Sequence, residues 1–216
     1  MKNDIKNIII QYLNFYPGEK DNLRQLLELV NDNINDSTNL FNRKNFQGHI
    51  TASGFIYCIE ESKLLLLEHK TLKKFLQPGG HVELVDGEIL DTAKREIFEE
   101  TGLKDLDIVS ISDDINIPFD INTHFIPANE KKAEDEHYHH DFRYLFTIDK
   151  IEDVELDYNE STGYKWISID ELRNDEKFSY IIDKIESLID KKKSIIKWNR
   201  KRCRNITRTI KNQKRR

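Results

Sequence analysis

The chain has 216 residues, 38% of them hydrophobic, and a formal net charge of −5. That is enough apolar material for one solid core plus an accessory element, and no apolar run approaches the roughly 20 residues that a membrane-spanning helix requires. The sequence does not start with a cationic stretch followed by a smooth apolar run, and Cys58 and Cys203 do not make a disulfide framework, so a cytoplasmic protein is expected.

Taken in chain order, residues 1–45 read as an N-terminal helical element. Ile5, Ile8, Ile9, Tyr12, Leu13 and Tyr16 keep helical spacing, Pro17-Gly18 breaks it, and Leu23, Leu26, Leu27, Val30 and Ile34 resume it. The apolar half of this hairpin needs a partner surface, either the rest of the chain or a second subunit in a homodimer. From Ile50 the texture becomes β: ITASGFIYCI, then KLLLLEH after the Glu60-Glu61-Ser62 turn, form an expected hairpin. Short strands follow around Phe75-Leu76, Ile108 to Ile111, His124-Phe125, His140 to Ile148 and Tyr164 to Ile167, with a helix over Asp91 to Glu100 after the third strand. Phe178, Ile181, Ile182, Ile185, Leu188 and Ile189 mark a long amphipathic helix. The fold class is therefore α/β, with an α/β/α sandwich expected, and the chain divides into 1–45, a central domain over 46–175, and a C-terminal helix with a basic tail over 176–216. Residues 191–216 hold 13 Lys/Arg and no Asp/Glu, leaving 21 basic against 39 acidic residues in the rest.

The chemistry concentrates between Gly80 and Leu103. Arg95-Glu96-Ile97-Phe98-Glu99-Glu100 puts four charged groups into six residues, and on a helix Glu96, Glu99 and Glu100 stand at i, i+3 and i+4, one face. Three carboxylates so close repel one another unless a hard divalent cation, Mg²⁺ or Mn²⁺, draws on their oxygens. Arg95 reaches Glu99 at i+4, where its guanidinium can fix a carboxylate. Upstream, Pro78-Gly79-Gly80 reads as a sharp loop whose backbone can approach a ligand. Gly87 breaks the chain before the helix and Gly102 ends it. A solvated charged helix face is the plain alternative.

This segment resembles the Nudix box, G-x5-E-x7-R-E-U-x-E-E-x-G-U, in which U is aliphatic, and the match is complete from Arg95 to Leu103. Upstream the spacing from Gly80 to Arg95 is one residue longer than in the family. Counted forward from Gly80, the box's isolated Glu falls on Asp86; counted back from Arg95 it falls on Gly87, next to Glu88. Asp86 and Glu88 both stand as candidates. The resemblance runs from His49-Ile50-Thr51-Ala52-Ser53-Gly54-Phe55 through Leu76-Gln77-Pro78-Gly79-Gly80-His81 and Pro118-Phe119-Asp120. It continues through His124-Phe125-Ile126-Pro127-Ala128 and HYHHDFRYLF (His137 to Phe146) to Trp166 and Asp170-Glu171-Leu172, so that it covers residues 48 to 172. It implies the α/β/α sandwich and a hydrolase that splits a nucleoside diphosphate linked to another group X. Glu96, Glu99, Glu100 and the Gly79 carbonyl are implied as Mg²⁺ or Mn²⁺ ligands, and Arg95 as their orienting partner. It further implies that a glutamate, either Glu99 or Glu100 in the box or Glu160, six residues before Trp166, accepts the proton of the attacking water, with Glu160 also a candidate metal ligand; for Glu160 a solvated loop acid is the alternative. His81 and Glu83 are weaker candidates for the same site.

The strand His137 to Arg143 adds a polar face: His137, His139, Asp141 and Arg143 point one way, while Phe142, Tyr144 and Phe146 alternate with them. Such a face can contact phosphate or the leaving group, with Arg143 forking onto an oxyanion. It can hold Zn²⁺ or Ni²⁺ through its i, i+2 histidines, or it can simply face solvent. His124 is a further candidate for the same wall.

The acidic body would repel an anionic substrate, which a cation at the glutamates answers by inverting the local charge. The X group is not readable from the box. A small-molecule nucleoside diphosphate derivative is the first expectation. The tail over 191–216 opens a rival, contact with nucleic acid or an anionic surface and an RNA 5′-end pyrophosphohydrolase resembling decapping enzymes. A nucleotide-binding sensor without catalysis is the third reading.

Overall fold

The computed structural model describes residues 5–33, 36–130 and 133–194. Ile34, Cys203 and the basic tail beyond residue 194 lie outside the described residues. Among those described, no helix is long and apolar enough to cross a membrane.

An eight-stranded mixed sheet forms the middle layer. Its spine is β1 (His49–Cys58), every residue of which is buried, paired in parallel with β7 (His137–Ile148) along its whole length, from His49 opposite His139 to Cys58 opposite Ile148. The other edge of β1 is shared. Its end pairs with β2 (Lys63–His69), closing the expected hairpin, and its start pairs antiparallel with the short β4 (Gly79–His81). β3 (Phe75–Leu76) and β8 (Ser161–Ser168) extend the sheet beyond β2, while β5 (Asp107–Val109) and β6 (Asp120–Ile126) share the far edge of β7.

The period-2 pattern of β1 sorts its side chains into two cores. Ile50, Ala52 and Ile56 face a layer made by α1 (Ile5–Phe15), α2 (Arg24–Asp32) and α3 (Ile89–Thr101). Phe55 and Tyr57 face the helix over residues 179–194, here α5, which follows a short α4 (Ile169–Arg173) and buries Ile181, Ile182, Ile185, Leu188 and Ile189. Helices thus cover both faces, an α/β/α sandwich. The N-terminal helices find their partner surface in the body of the chain, since Ile5, Ile8, Ile9 and Tyr12 join the same buried cluster as Ile121, Phe142 and Tyr144.

Two readings of the sequence are corrected. Pro78-Gly79-Gly80 is not a loop: Gly79 and Gly80 are strand residues opposite Ser53 and Ala52, and α3 follows the fourth strand, not the third. Three residues are too few for periodicity to announce a strand, and glycine pairs carry a turn signal. The polar face of β7 does not look into solvent either, because His137 and Asp141 are buried.

Candidate active site

α3 begins and ends on local signals. Glu88 caps its start in a reciprocal capping box with Asp91, whose carboxylate accepts from the Glu88 N–H at 3.0 Å. Gly102 ends it at φ +70°, the left-handed conformation that glycine adopts without strain, and its N–H returns to the Phe98 carbonyl. Ile89, Leu90, Ala93 and Ile97 anchor the helix on the sheet, which turns Glu96 and Glu100 toward β4.

The fit at β4 is close. The Gly79 N–H donates to Glu100 Oε1 at 2.8 Å. A Cβ on Gly80 would collide with Glu96 Oε1, and one on Gly79 with the Ser53 Cβ. Gly79 therefore needs to be glycine because the backbone of β1 occupies the space, whereas at Gly80 the neighbour is the end of the Glu96 side chain, which would have to move. Glu100 is only 8% exposed. Burial pushes its carboxyl up to about 8, with the charges of Glu96, Glu160 and Asp157 adding to the effect and the Gly79 N–H opposing it. Burial also raises Glu96, helped by Glu99 and Glu160 and opposed by Arg95. Glu99 stays at the rim with its side chain 53% exposed.

Arg95 ties the site together. Its Nε and Nη2 fork onto Asp86 at 3.0 Å each, its Nη1 donates to Glu96 at 2.8 Å and Glu99 at 2.9 Å, and its Nη2 also reaches the His81 carbonyl at 2.9 Å. Asp86 is buried and accepts further bonds from the Thr92 hydroxyl and the Glu83 N–H, both at 2.8 Å. Burial opposes its ionisation, but the Arg95 fork prevails and holds it below the usual carboxylate range. Of the two carboxylates that the shifted spacing leaves open, Asp86 meets Arg95 and Glu88 caps the helix. Glu160 sits at the turn before β8, on a segment laid along the end of α3: the Glu155 N–H donates to the Thr101 carbonyl and the Asp157 N–H to the Glu100 carbonyl. It is exposed, and close enough for its charge to raise both Glu96 and Glu100.

His81 shares β4 with the glycines, but its ring turns to the opposite face of the sheet, 5.1 Å from the rings of His49 and His139. There the β1–β7 register brings His49 beside His139, and the pleat adds His137. The ring centroids of His49 lie 4.9 Å from His137 and 4.6 Å from His139, and His124 on β6 lies 5.6 Å from His139. Burial lowers His49 to about 4; it lowers His139 to about 2, with the surrounding histidines adding to the shift. Further along the same face Asp141 and Arg143 are engaged internally. Asp141 accepts from the Ser53 hydroxyl at 2.8 Å and from Arg143 Nε at 3.0 Å. Arg143 Nη1 donates to Asp120 at 3.1 Å and to the Tyr180 hydroxyl. Lys184 completes this network, donating to Asp120 at 2.7 Å and Tyr12 at 2.9 Å and pairing with Glu19.

Sequence reasoning did not single out His49, Ser53, Asp120, Tyr180 or Lys184 as parts of this face. One signal was available: His49, Thr51 and Ser53 alternate with Ile50 and Ala52 at the start of β1, marking one strand face as polar.

A protein of Lactococcus lactis subsp. cremoris (strain MG1363) named "Probable DHNTP pyrophosphohydrolase" is 34% identical over 132 residues, 61% of this chain and 74% of that protein. A hydrolase of the NUDIX family from Clostridium perfringens is 30% identical, with a TM-score of 0.44 over 62% of this chain and 86% of that one. An Ap4A hydrolase from C. elegans, in a binary complex, is 20% identical, with a TM-score of 0.49 over 65% of this chain and 97% of that one. The family model described as the NUDIX domain matches residues 49–185, well over half the sequence, so the chain belongs to the NUDIX family and is a Nudix hydrolase.

Proposed function

We propose that the protein is a pyrophosphohydrolase that splits X–P–O–P–Y compounds, a nucleoside diphosphate linked to X being the first class, with Mg²⁺ or Mn²⁺ at the α3 glutamates. The observation that carries this reading is the cluster of carboxylates at one end of α3: Glu96 and Glu99 share Arg95, and Glu160 lies close enough for its charge to act on both Glu96 and Glu100. Glu96 and Glu100 are raised by burial and by neighbouring carboxylates, which is the environment that a hard cation relieves. The donor set therefore fits the ion, with the Gly79 carbonyl proposed beside the carboxylates. A bound Mg²⁺ or Mn²⁺ supplies positive charge against the phosphate oxygens and makes water easier to deprotonate.

The chain's own residues do the rest. Arg95, gripped by Asp86, holds Glu96 and Glu99 in one orientation. The Gly79 N–H fixes the Glu100 carboxylate. Glu160, on its exposed turn, is assigned as the proton acceptor. Water oxygen bonds to phosphorus, its proton passes to the carboxylate, and the bond from that phosphorus to the bridging oxygen breaks with the electron pair leaving on oxygen. Two phosphorylated products result. We assign the X group to the end of the site beyond His81, bordered by His137 and His139, with Asp141 and Arg143 bracing that wall through their internal bonds.

The test is formation of the two phosphorylated products, separated by chromatography, with Mg²⁺ or Mn²⁺, from a panel with Glu100→Gln as blank. The panel holds nucleoside diphosphate sugars, ADP-ribose, dinucleoside polyphosphates, nucleoside triphosphates, 5′-triphosphate RNA and DHNTP, the compound in the Lactococcus relative's name. Turnover of one small-molecule class, lost in the variant, is the expected result and names X. Activity on RNA alone would favour the basic tail as a substrate-binding element. Nucleotide binding without any turnover would replace the enzyme by a sensor.

A further inference from the structure

We propose that His49, His137 and His139 form a site for a borderline transition metal of the Zn²⁺ class, separate from the glutamates that Mg²⁺ or Mn²⁺ would occupy. One nitrogen from each ring lies within 4.8 Å of the others. The tautomers are set by backbone carbonyls: Nδ1 of His137 faces the Asp135 carbonyl at 2.7 Å, and Nδ1 of His49 faces the Asn45 carbonyl at 3.5 Å. With the proton on Nδ1, Nε2 carries the lone pair, the arrangement in which a carbonyl behind the ring orients a metal-binding histidine.

What the Nε2 atoms meet decides the matter. His137 Nε2 and His139 Nε2 approach to 3.1 Å. Zn–N bonds of about 2.0–2.1 Å in a tetrahedron set neighbouring nitrogens about 3.3–3.4 Å apart, so the spacing already matches one edge. A hydrogen bond between these two rings would satisfy that pair and nothing more. Among the described residues, His49 Nε2, on a residue 1% exposed, has no hydrogen-bond partner, and a buried unpaired nitrogen is costly. A cation among the three rings uses all three lone pairs.

The ligands sit on rigid elements. His49 and His139 are held by the parallel β1–β7 register, and His137 follows at i, i+2 on the same face. The His81 ring stands beside His49 and His139 at the fourth side. His124 is nearby as well, but its Nδ1 is engaged by the Asn122 amide oxygen at 3.1 Å. Imidazole nitrogens favour Zn²⁺, Ni²⁺ or Cu²⁺, whereas the carboxylate oxygens on α3 favour Mg²⁺ or Mn²⁺. Two sites of different softness therefore lie on opposite faces of β4. The second site does not depend on the hydrolase reaction.

The test uses the full chain without a histidine tag, stripped of metal with a chelator. Titration with Co²⁺ should give visible ligand-field bands that saturate at one equivalent. Zn²⁺, competed against a chromophoric chelator in excess Mg²⁺, should bind at one per chain in the wild type, in Glu100→Gln and in His124→Gln. In His49→Gln, His137→Gln and His139→Gln, each checked for folding by circular dichroism, affinity should fall about tenfold or more. The Co²⁺ spectrum of the wild type tests the site even if a variant fails to fold. Absence of Co²⁺ bands in folded wild-type protein overturns the proposal. So does Zn²⁺ binding that survives all three histidine variants, or that disappears in Glu100→Gln and so belongs to the glutamates.

Discussion

Two polar clusters flank the three-residue strand β4, and they are built by opposite means. The glutamate cluster comes almost wholly from one helix and the turn before it, it is negatively charged, and it keeps a rim in solvent through Glu99 and Glu160. The histidine cluster gathers His49, His81, His124, His137 and His139 from four strands, and burial keeps His49 and His139 neutral. A contiguous motif suits carboxylates because helical periodicity alone brings i, i+3 and i+4 together. A cluster assembled by strand pairing exists only once the sheet does. The comparison predicts that damage to the first region falls on catalysis, and damage to the second on stability, metal content and substrate choice.

The largest effect expected is on catalysis. Glu100→Gln keeps an oxygen to accept from the Gly79 N–H but removes the charge; turnover on whichever substrate the panel finds should fall by about 10²–10⁴. Thermal stability should hold or rise, because a carboxyl that resists ionisation has been replaced by a neutral amide. A variant that unfolds would show that Glu100 is structural, and the contrast between the regions would lose its basis. Gly80→Ala comes next. Its Cβ would collide with the Glu96 carboxylate, and moving that carboxylate by about 1 Å costs about 10² in rate. Its melting temperature should move much less than its kcat/KM.

That geometry also explains what could be read in advance. The α3 site was legible because Arg95, Glu96, Glu99 and Glu100 need only a helix, and Gly87 and Gly102 bracket one. The pairing of β1 with β2 was legible from a short turn between two apolar runs. β4 was not, since three residues contain no period, and the approach of Gly80 to Glu96 is a property of two elements and belongs to neither alone. His49 was hidden for the same reason: nothing near it in sequence says that His139 will lie opposite. Arg143 suggested an anion-binding fork, yet Asp120 and Tyr180, which engage its Nη1, stand 23 and 37 residues away.

Titration of metal-free protein should separate the regions by sign. Glu100 has a folded-state value of about 8 against 4.5 for the free group, so its contribution to stability is full below about 4.5 and is lost as pH rises toward 8. His49, lowered from 6.5 to about 4, behaves in the opposite way: its contribution is full above 6.5 and is lost as pH falls toward 4. The melting temperature should therefore pass through a maximum between these limits. Glu100→Gln should flatten the alkaline limb and His49→Gln the acid limb. Mg²⁺ should restore stability on the alkaline side alone if it binds the glutamates. A single variant that flattened both limbs would mean that the two clusters titrate as one.

The smallest effect distinguishes two neighbouring carboxylates that the sequence spacing alone left equivalent. Asp86 takes the Arg95 fork and three bonds in all from Thr92, Glu83 and Arg95 at its Oδ2, while Glu88 accepts from the start of α3. Asp86→Asn should weaken the hold on Arg95 and lower kcat/KM about 10–100-fold. Glu88→Ala should cost only the cap, about 1 kcal/mol of stability in denaturant melts, with kcat/KM little changed. The reverse ranking would mean that Arg95 is oriented from the helix start and not from the loop. The extra residue between Gly80 and Arg95 would then have shifted the site's support onto Glu88, and the fork onto Asp86 would serve packing alone.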